Sequence, residues 1–255
     1  MTVNGLSNFL NKRIPRELSC SWDNDGLMCC PDGEREVKKA FFCLDVTPGA
    51  IEYAIEGGYD VIISHHPLIF KGVKTLSGDL GIPSRLIRLI KNNISVMSYH
   101  TRFDAVEGGV NDVLAELFGL TDIQKVECDG IELMRVGVLP EEMDIESFTK
   151  LVREKLGCEH LNYSVNSTKV HKVALVGGGG GSYIRDAAKS GADTYLSGEI
   201  GYHNLTDACD MQINLVEAGH YYTEYPALKA LAGIVRESDP EIQCDFYTSN
   251  VINSI

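Results

Sequence analysis

Residues 58–64 read Gly-Tyr-Asp-Val-Ile-Ile-Ser, and residues 191–197 read Gly-Ala-Asp-Thr-Tyr-Leu-Ser, an alignment without gaps. In both, a glycine suited to closing a helix precedes an aspartate and a short apolar run of strand length. Upstream of the first, Lys39-Ala40-Phe41-Phe42-Cys43-Leu44 predicts a strand ending at Asp45. Thr47-Pro48 then opens a helix: threonine is a good N-cap, and proline fits the first helical position because its missing N–H had no partner there. Residues 60–64 and 94–99 predict two further strands, with a helix from Pro83-Ser84 to Asn92-Asn93 between them. Downstream, 173–176, 193–197 and 212–217 read as strands, and 182–189 and 226–235 as helices. Apolar periodicity adds helices at 110–117 and 148–156, stopped by Gly119 and Gly157. Strands alternating with helices define an α/β protein.

A second pair of segments aligns in the same order. Tyr99-His100-Thr101-Arg102-Phe103-Asp104 matches Gly219-His220-Tyr221-Tyr222-Thr223-Glu224, each a His-x-x-x-acid between a strand and an apolar helix. The expectation is two related α/β lobes, an internal duplication, facing each other across a cleft. The N-terminal lobe, 1–125, carries His65, His66 and Asp104; the C-terminal lobe, 126–255, carries His220 and Glu224, and its last helix can pack back on the first lobe. Residues 121–146, acidic and turn-rich around a strand at 131–139, are the expected join. Chance likeness between two α/β units is the competing account.

Composition limits the function classes. The chain has 255 residues, 44% hydrophobic and 23% charged, which fits a folded globular protein rather than a disordered one. No window approaches the ~18–20 apolar residues of a membrane span. The N-terminus, with Asn4, Asn8 and Asn11, lacks the pattern of a secretory signal. A net charge of −13 without a basic block argues against general nucleic-acid binding. The eight cysteines form no Cys-x-x-Cys, so they read as small buried hydrophobes in a reducing cytoplasm.

Chemistry concentrates where parallel strands end, which is where α/β sheets collect ligands. His65-His66 follows one predicted strand; His100 and Asp104, and His220 and Glu224, follow two others. Adjacent residues of an extended chain point in opposite directions, so His65 and His66 suit two different ions of a close pair. Four imidazoles and two carboxylates suit divalent zinc, iron, manganese or nickel, with one carboxylate able to bridge. The plainer account of each His-x-x-x-acid segment is a histidine that caps the next helix or bonds its own acid.

The runs Leu44-Asp45-Val46-Thr47, Ile62-Ile63-Ser64-His65-His66-Pro67-Leu68-Ile69-Phe70, His100-Thr101-Arg102-Phe103-Asp104 with Gly108-Gly109-Val110-Asn111-Asp112, and Gly219-His220-Tyr221-Tyr222-Thr223-Glu224 resemble the NGG-one-interacting-factor-three-like family of dinuclear metal proteins. That family is often labelled GTP cyclohydrolase I type 2 homologue, and Trp22-Asp23-Asn24-Asp25-Gly26-Leu27 is similar to its N-terminal motif. The resemblance spans residues 20–236. It implies two metal ions held by His65, His66, Asp104, His220 and Glu224, Glu224 bridging, and a toroidal homohexamer with the sites on its inner cavity. His100 is carried over only as a motif residue, and it is expected beside the ligands, orienting one of them or the substrate. Arg102 stands where the family usually has asparagine, and Glu199 where Gly-Asp is common.

The leading expectation is therefore a dinuclear-metal hydrolase acting on a small polar metabolite, nucleotides and phosphorylated compounds among the candidates, by two-metal water activation. His100 and His203 are the candidate proton donors. The alternative is a non-catalytic metal-binding ring that recruits a partner, and a third reading is a structural ring with vestigial metals. Arg102 is expected either to face the cleft as a fixed cation for anionic substrates or to lie on the surface. The glycine run 177–181 is either a phosphate cradle or a tight strand-to-helix turn. His160 and His171 receive no role. Asn24 or Asp25 is a candidate contact for water at the metals, and Asp45 a supporting acid or a helix cap.

Overall fold

The computed structural model describes residues 1–79, 81–248 and 250; the last five residues of the expected C-terminal lobe lie outside them. Its strands are β1 (Gly26–Cys29), β2 (Lys39–Cys43), β3 (Val61–Ser64), β4 (Ser95–Ser98), β5 (Thr121–Cys128) and β6 (Ile131–Met143). They continue with β7 (Asn162–Ser164), β8 (Val170–Val176), β9 (Thr194–Ser197), β10 (Asn214–Glu217) and β11 (Gln243–Phe246). The described residues divide into two compact units, Met1–Phe103 with 228–248, and Asp104–Ala227 with Asn250.

The first unit is a five-stranded sheet in the order β1-β4-β3-β2-β11. All its neighbours are parallel except β1, which runs antiparallel to β4. Every residue of β3 is buried, as expected for a central parallel strand covered on both faces. Phe41, Ile51, Ile62, Leu89 and Val96 form its core. Helix Pro48–Glu56 starts as expected: Thr47 Oγ1 accepts from the Ala50 N–H at 3.1 Å, and proline follows it. Helix Val3–Arg13 buries Val3, Leu6, Ser7 and Leu10, and its Arg13 pairs with Glu237 of helix Leu228–Ser238 at 2.8 Å.

The second unit is a six-stranded sheet, β5-β6-β8-β9-β10-β7, parallel only across β8, β9 and β10. Phe118, Phe148, Val152, Leu175, Leu196 and Val216 fill its core. Asp144 caps helix Ile145–Leu156 through the Ser147 N–H, and Gly157 ends it at φ +69°. The stretch expected to be turn-rich contains a hairpin instead: β5 pairs antiparallel with β6 around Asp129-Gly130, both at positive φ.

The aligned glycine–aspartate segments do the same work in both units. Asp60 accepts from the Lys38 and Lys39 N–H groups at 2.8 and 2.9 Å, while Lys39 Nζ reaches the Gly57 carbonyl. Asp193 accepts from the His171 and Lys172 N–H groups at 3.0 and 2.8 Å, while Lys172 Nζ reaches the Ser190 carbonyl. Each aspartate thereby closes the open N-terminal edge of a parallel strand pair, whose N–H groups would otherwise lack acceptors. The mixed α/β class is as the sequence predicts. No helix among the described residues is long and apolar enough to cross a membrane.

Candidate metal centre

In the first unit the parallel strands bring three histidines together. Strand β3 ends at Ser64, whose hydroxyl donates to the His66 carbonyl and lies 2.8 Å from Ser98 Oγ at the end of β4. Beyond Ser64 the strand gives way to a bend at His65 and His66. Their ring centroids are 5.1 Å apart, and His100 lies 5.3 and 5.7 Å from them. One ring nitrogen from each of the three lies within 4.8 Å of the other two, a group that could hold a metal ion.

The tautomers follow from their hydrogen bonds. His65 Nδ1 faces the Tyr99 carbonyl at 2.9 Å, His66 Nδ1 faces Asp45 Oδ1 at 3.0 Å, and His100 Nδ1 faces Asp23 Oδ1 at 2.9 Å. Carbonyl and carboxylate oxygens only accept, so each Nδ1 carries a proton and Nε2 is the ring nitrogen left for a ligand. An oxygen acceptor behind Nδ1 is the usual support of a metal-binding imidazole. The donor set thus fits a divalent transition metal. Asp45 supports His66, while Thr47 takes the helix-capping role.

Asp23, which lies in the Trp22–Leu27 motif without a role of its own there, anchors this corner. It accepts from Thr101 N and Oγ1 at 3.0 and 2.6 Å besides His100. Burial pushes its carboxyl up, but the hydrogen bonds and the His100 charge outweigh burial and bring it down to about 2. Arg102 departs from both expectations. It is fully buried: Nε donates to Asp25 Oδ2 at 2.9 Å, Nη1 to Asn11 Oδ1 and the Ile14 carbonyl, and its guanidinium lies over the Tyr99 ring. It is a structural ion pair, neither a substrate-facing cation nor a surface residue. Asp25 holds that pair, and Asn24 Nδ2 donates to the Ile69 carbonyl.

The second unit carries the remaining residues. His220 and Glu224 lie on helix His220–Glu224 just after β10, with His220 Nε2 3.0 Å from Glu224 Oε1. His220 Nδ1 lies 3.3 Å from Glu199 Oε1. Glu224 is buried and Glu199 exposed. Below them, the glycine run is a packing device rather than a phosphate cradle. The Gly177, Gly178 and Gly180 N–H groups donate to Asn111 Oδ1, Thr223 Oγ1 and Ser197 Oγ, leaving them unavailable to an anion. A Cβ on Gly178, which has φ +64°, would stand 2.0 Å from Glu224 Oε1 and 3.1 Å from His220 Nε2. A side chain there would occupy the space of the candidate ligands themselves.

Asp104 is buried near the end of helix Thr101–Ala105. Asn111 Nδ2 donates to its carbonyl at 3.1 Å while Asn111 Oδ1 receives the Gly177 N–H, so one buried amide ties Asp104 to the glycine run. Buried Arg135 holds the same helix end through the Ala105 carbonyl and pairs with Asp112. His203 is exposed on helix Tyr202–Met211, its ring edge-on to Tyr202 at 5.8 Å. A cavity of about 250 Å³ beside His220 is lined by His160, Asn162, Glu199, Glu217 and Tyr221, which gives His160 a place that its spacing in the sequence does not reveal.

Comparison with known proteins shows which family the chain resembles throughout its length. A Clostridium perfringens protein named GTP cyclohydrolase 1 type 2 homolog is 34% identical over 243 residues, covering 93% of this chain and 92% of that one. A Methanocaldococcus jannaschii protein of the same name is 31% identical, covering 90% and 92%. Among solved structures, a hypothetical protein of Staphylococcus aureus superposes with a TM-score of 0.90 at 27% identity, covering 100% of this chain and 99% of the other. Reduced HcgD from M. jannaschii gives 0.84 at 28% identity, covering 96% and 97%. Residues 1–254 match the family description as well, and the chain belongs to the Duf34/NIF3 (NGG1p interacting factor 3) family.

Proposed function

We propose that this protein is a metal-dependent hydrolase in which His65, His66, Asp104, His220 and Glu224 hold two divalent ions, and that its substrate is a small polar metabolite. The observation that carries the reading is the shared hydrogen-bonding state of His65, His66 and His100, whose Nδ1 protons are all engaged by oxygen acceptors. When bound, the ions supply Lewis acidity at the reacting group. The residues do the rest. The Tyr99 carbonyl and Asp45 fix the rings of His65 and His66; Asp23 orients His100, the better-placed candidate to pass a proton to the leaving group; and Gly178, lacking a side chain, leaves room for Glu224 and His220. His203, being exposed, is the second candidate.

The name shared by the curated relatives brings nucleotides into the substrate class, and the same reading takes the chain as a cytoplasmic, toroidal homohexamer. The test combines metal analysis of the purified protein with turnover of nucleotides, phosphodiesters and cyclic imides. Two equivalents of metal per chain are expected, with metal lost in His65→Ala and turnover abolished in Glu224→Ala. Equal turnover by wild type and Glu224→Ala removes the hydrolase reading from this site. Light scattering tests the assembly, for which a mass of six chains is expected.

A further inference from the structure

Two large aromatic side chains stand in solvent beside the histidines. Trp22 is 52% exposed and Phe70 48%, although each ring could bury ~150–250 Å². They are neighbours, with ring centroids 6.2 Å apart, and both meet His100, at 6.1 and 6.5 Å. The interplanar angles of the three pairs are 65°, 70° and 85°. The rings meet edge to face and form a corner, and the exposure of Trp22 and Phe70 leaves part of each ring's surface open to solvent.

The backbone that carries the corner is fixed. Asp23, next to Trp22, is bonded to His100 and Thr101, and the Asp23 N–H donates to the Cys20 carbonyl. Asn24 Nδ2 donates to the Ile69 carbonyl, tying the Trp22 segment to the residue before Phe70. Single exposed apolar side chains are ordinary on protein surfaces. A braced aromatic pair in contact with a histidine cluster is a different feature, and flat rings favour such platforms because every aromatic face can stack.

We propose that Trp22 and Phe70 form a recognition subsite for a planar, unsaturated ring in the molecule processed at the neighbouring histidines. The subsite selects ring compounds over open-chain or saturated ones. This rests on the hydrolase reading for the identity of the processed molecule, but ring binding itself is measurable without turnover. Trp22 is the only tryptophan in the chain, so its fluorescence reports the subsite directly.

The experiment titrates full-length protein, with and without added zinc, with inosine as a soluble planar probe and with ribose as the control that lacks the base. Saturable quenching by inosine is expected, with no effect of ribose. Phe70→Ala should weaken inosine about tenfold, or about 1.4 kcal/mol, and Phe70→Tyr should restore it. Phe70 is half exposed, so neither variant threatens the fold. Unchanged fluorescence with inosine, equal effects of inosine and ribose, or wild-type affinity in Phe70→Ala would each overturn the proposal. So would blue-shifted emission that relaxes on dilution, which assigns the pair to an interface between copies of the chain. If zinc fails to bind yet inosine still quenches, the metal reading fails and the ring subsite stands. If zinc binds and turnover is found but inosine leaves Trp22 unmoved, the subsite alone fails.

Discussion

Gly178→Ala separates the cost of backbone conformation from the cost of crowding a metal ligand. The residue sits at φ +64°, where a Cβ costs roughly 1–2 kcal/mol. For a chain of this size that corresponds to a fall in Tm of about 2–8 °C. The new methyl carbon would also stand 2.0 Å from Glu224 Oε1. That oxygen is the far end of a flexible side chain, so Glu224 moves rather than the fold, and the larger penalty falls on ligand placement. Displacing a group that positions a metal ligand costs ~10–100-fold in affinity, and displacing the ligand itself should cost at least that much. Gly157→Ala is the control: at φ +69° with no atom within 4 Å of its Cβ, it carries the backbone penalty alone. Scanning calorimetry and zinc titration of both variants decide the matter. Similar Tm losses are expected, with zinc affinity reduced only in Gly178→Ala. If both variants bind zinc as wild type does, the glycine run has no bearing on the metal centre and the reasoning from the Cβ position is wrong.

Three other substitutions probe the remaining supports. Asp45→Ala removes the acceptor behind His66 Nδ1 and should lower zinc affinity ~10–100-fold by calorimetric titration; because Asp45 is exposed, its stability should stay within about 0.5 kcal/mol of wild type. Arg102→Ala leaves Asp25 charged and buried and should cost about 3–5 kcal/mol in denaturant unfolding; native stability with an altered KM would instead make Arg102 a substrate contact. The Asp23 carboxyl, held at about 2 when folded, binds its proton more weakly than in the unfolded chain, so its stabilisation is complete above the ordinary carboxylate range and fades as pH falls towards 2. Asp23→Asn should flatten that acid limb of the stability profile, and an unchanged slope in pH-dependent unfolding would show that the acid loss arises elsewhere.

Periodicity and local chemistry are the features that the sequence makes legible. The Thr47-Pro48 start, the Gly157 stop and the buried β3 run are short-range features, and the structure has them. Strand β5 escaped because nearly all its residues are exposed and its sequence, Thr-Asp-Ile-Gln-Lys-Val-Glu-Cys, lacks an apolar run; the Asp129-Gly130 turn was the available signal. Helix Tyr202–Met211 buries only Ala208, so it presents no apolar stripe. Helix Val3–Arg13 carries apolar residues at Val3, Leu6 and Leu10, but its three asparagines interrupt that pattern. Among the site residues, the histidines were findable by their position after strands. Asp23 stands in the Trp22–Leu27 motif, but its role lies in a bond to a residue 77 positions away. Arg102 illustrates the same limit: its charge was visible, but the partner that neutralises it was not.

The two units show why scaffold and chemistry differ in how far sequence exposes them. At the starts of their parallel strands, Lys39 and Asp60 in one and Lys172 and Asp193 in the other make matching bonds. At the ends, the register pairs Ser64 with Cys43 and Ser98, and Ser197 with Val176 and Glu217. The two serines hold equivalent places, yet their hydroxyls do different work. Ser64 joins β3 to β4 and fixes the His66 carbonyl, whereas Ser197 receives the Gly180 N–H and donates to the Gly178 carbonyl. Past the serines the two units diverge. His65-His66 supplies imidazoles in one, while Gly198-Glu199 in the other leaves room for backbone, since a Cβ at Gly198 would meet the Gly178 carbonyl at 2.6 Å. Strand starts are constrained by the need to satisfy backbone N–H groups, and both units meet that need with a lysine and an aspartate placed alike. At the strand ends backbone groups are paired as well, the Ser64 carbonyl with the Tyr99 N–H and the Ser197 carbonyl with the Ala218 N–H, but the side chains beyond them take no part in that pairing and present imidazoles in one unit and a glycine bed under an acid in the other.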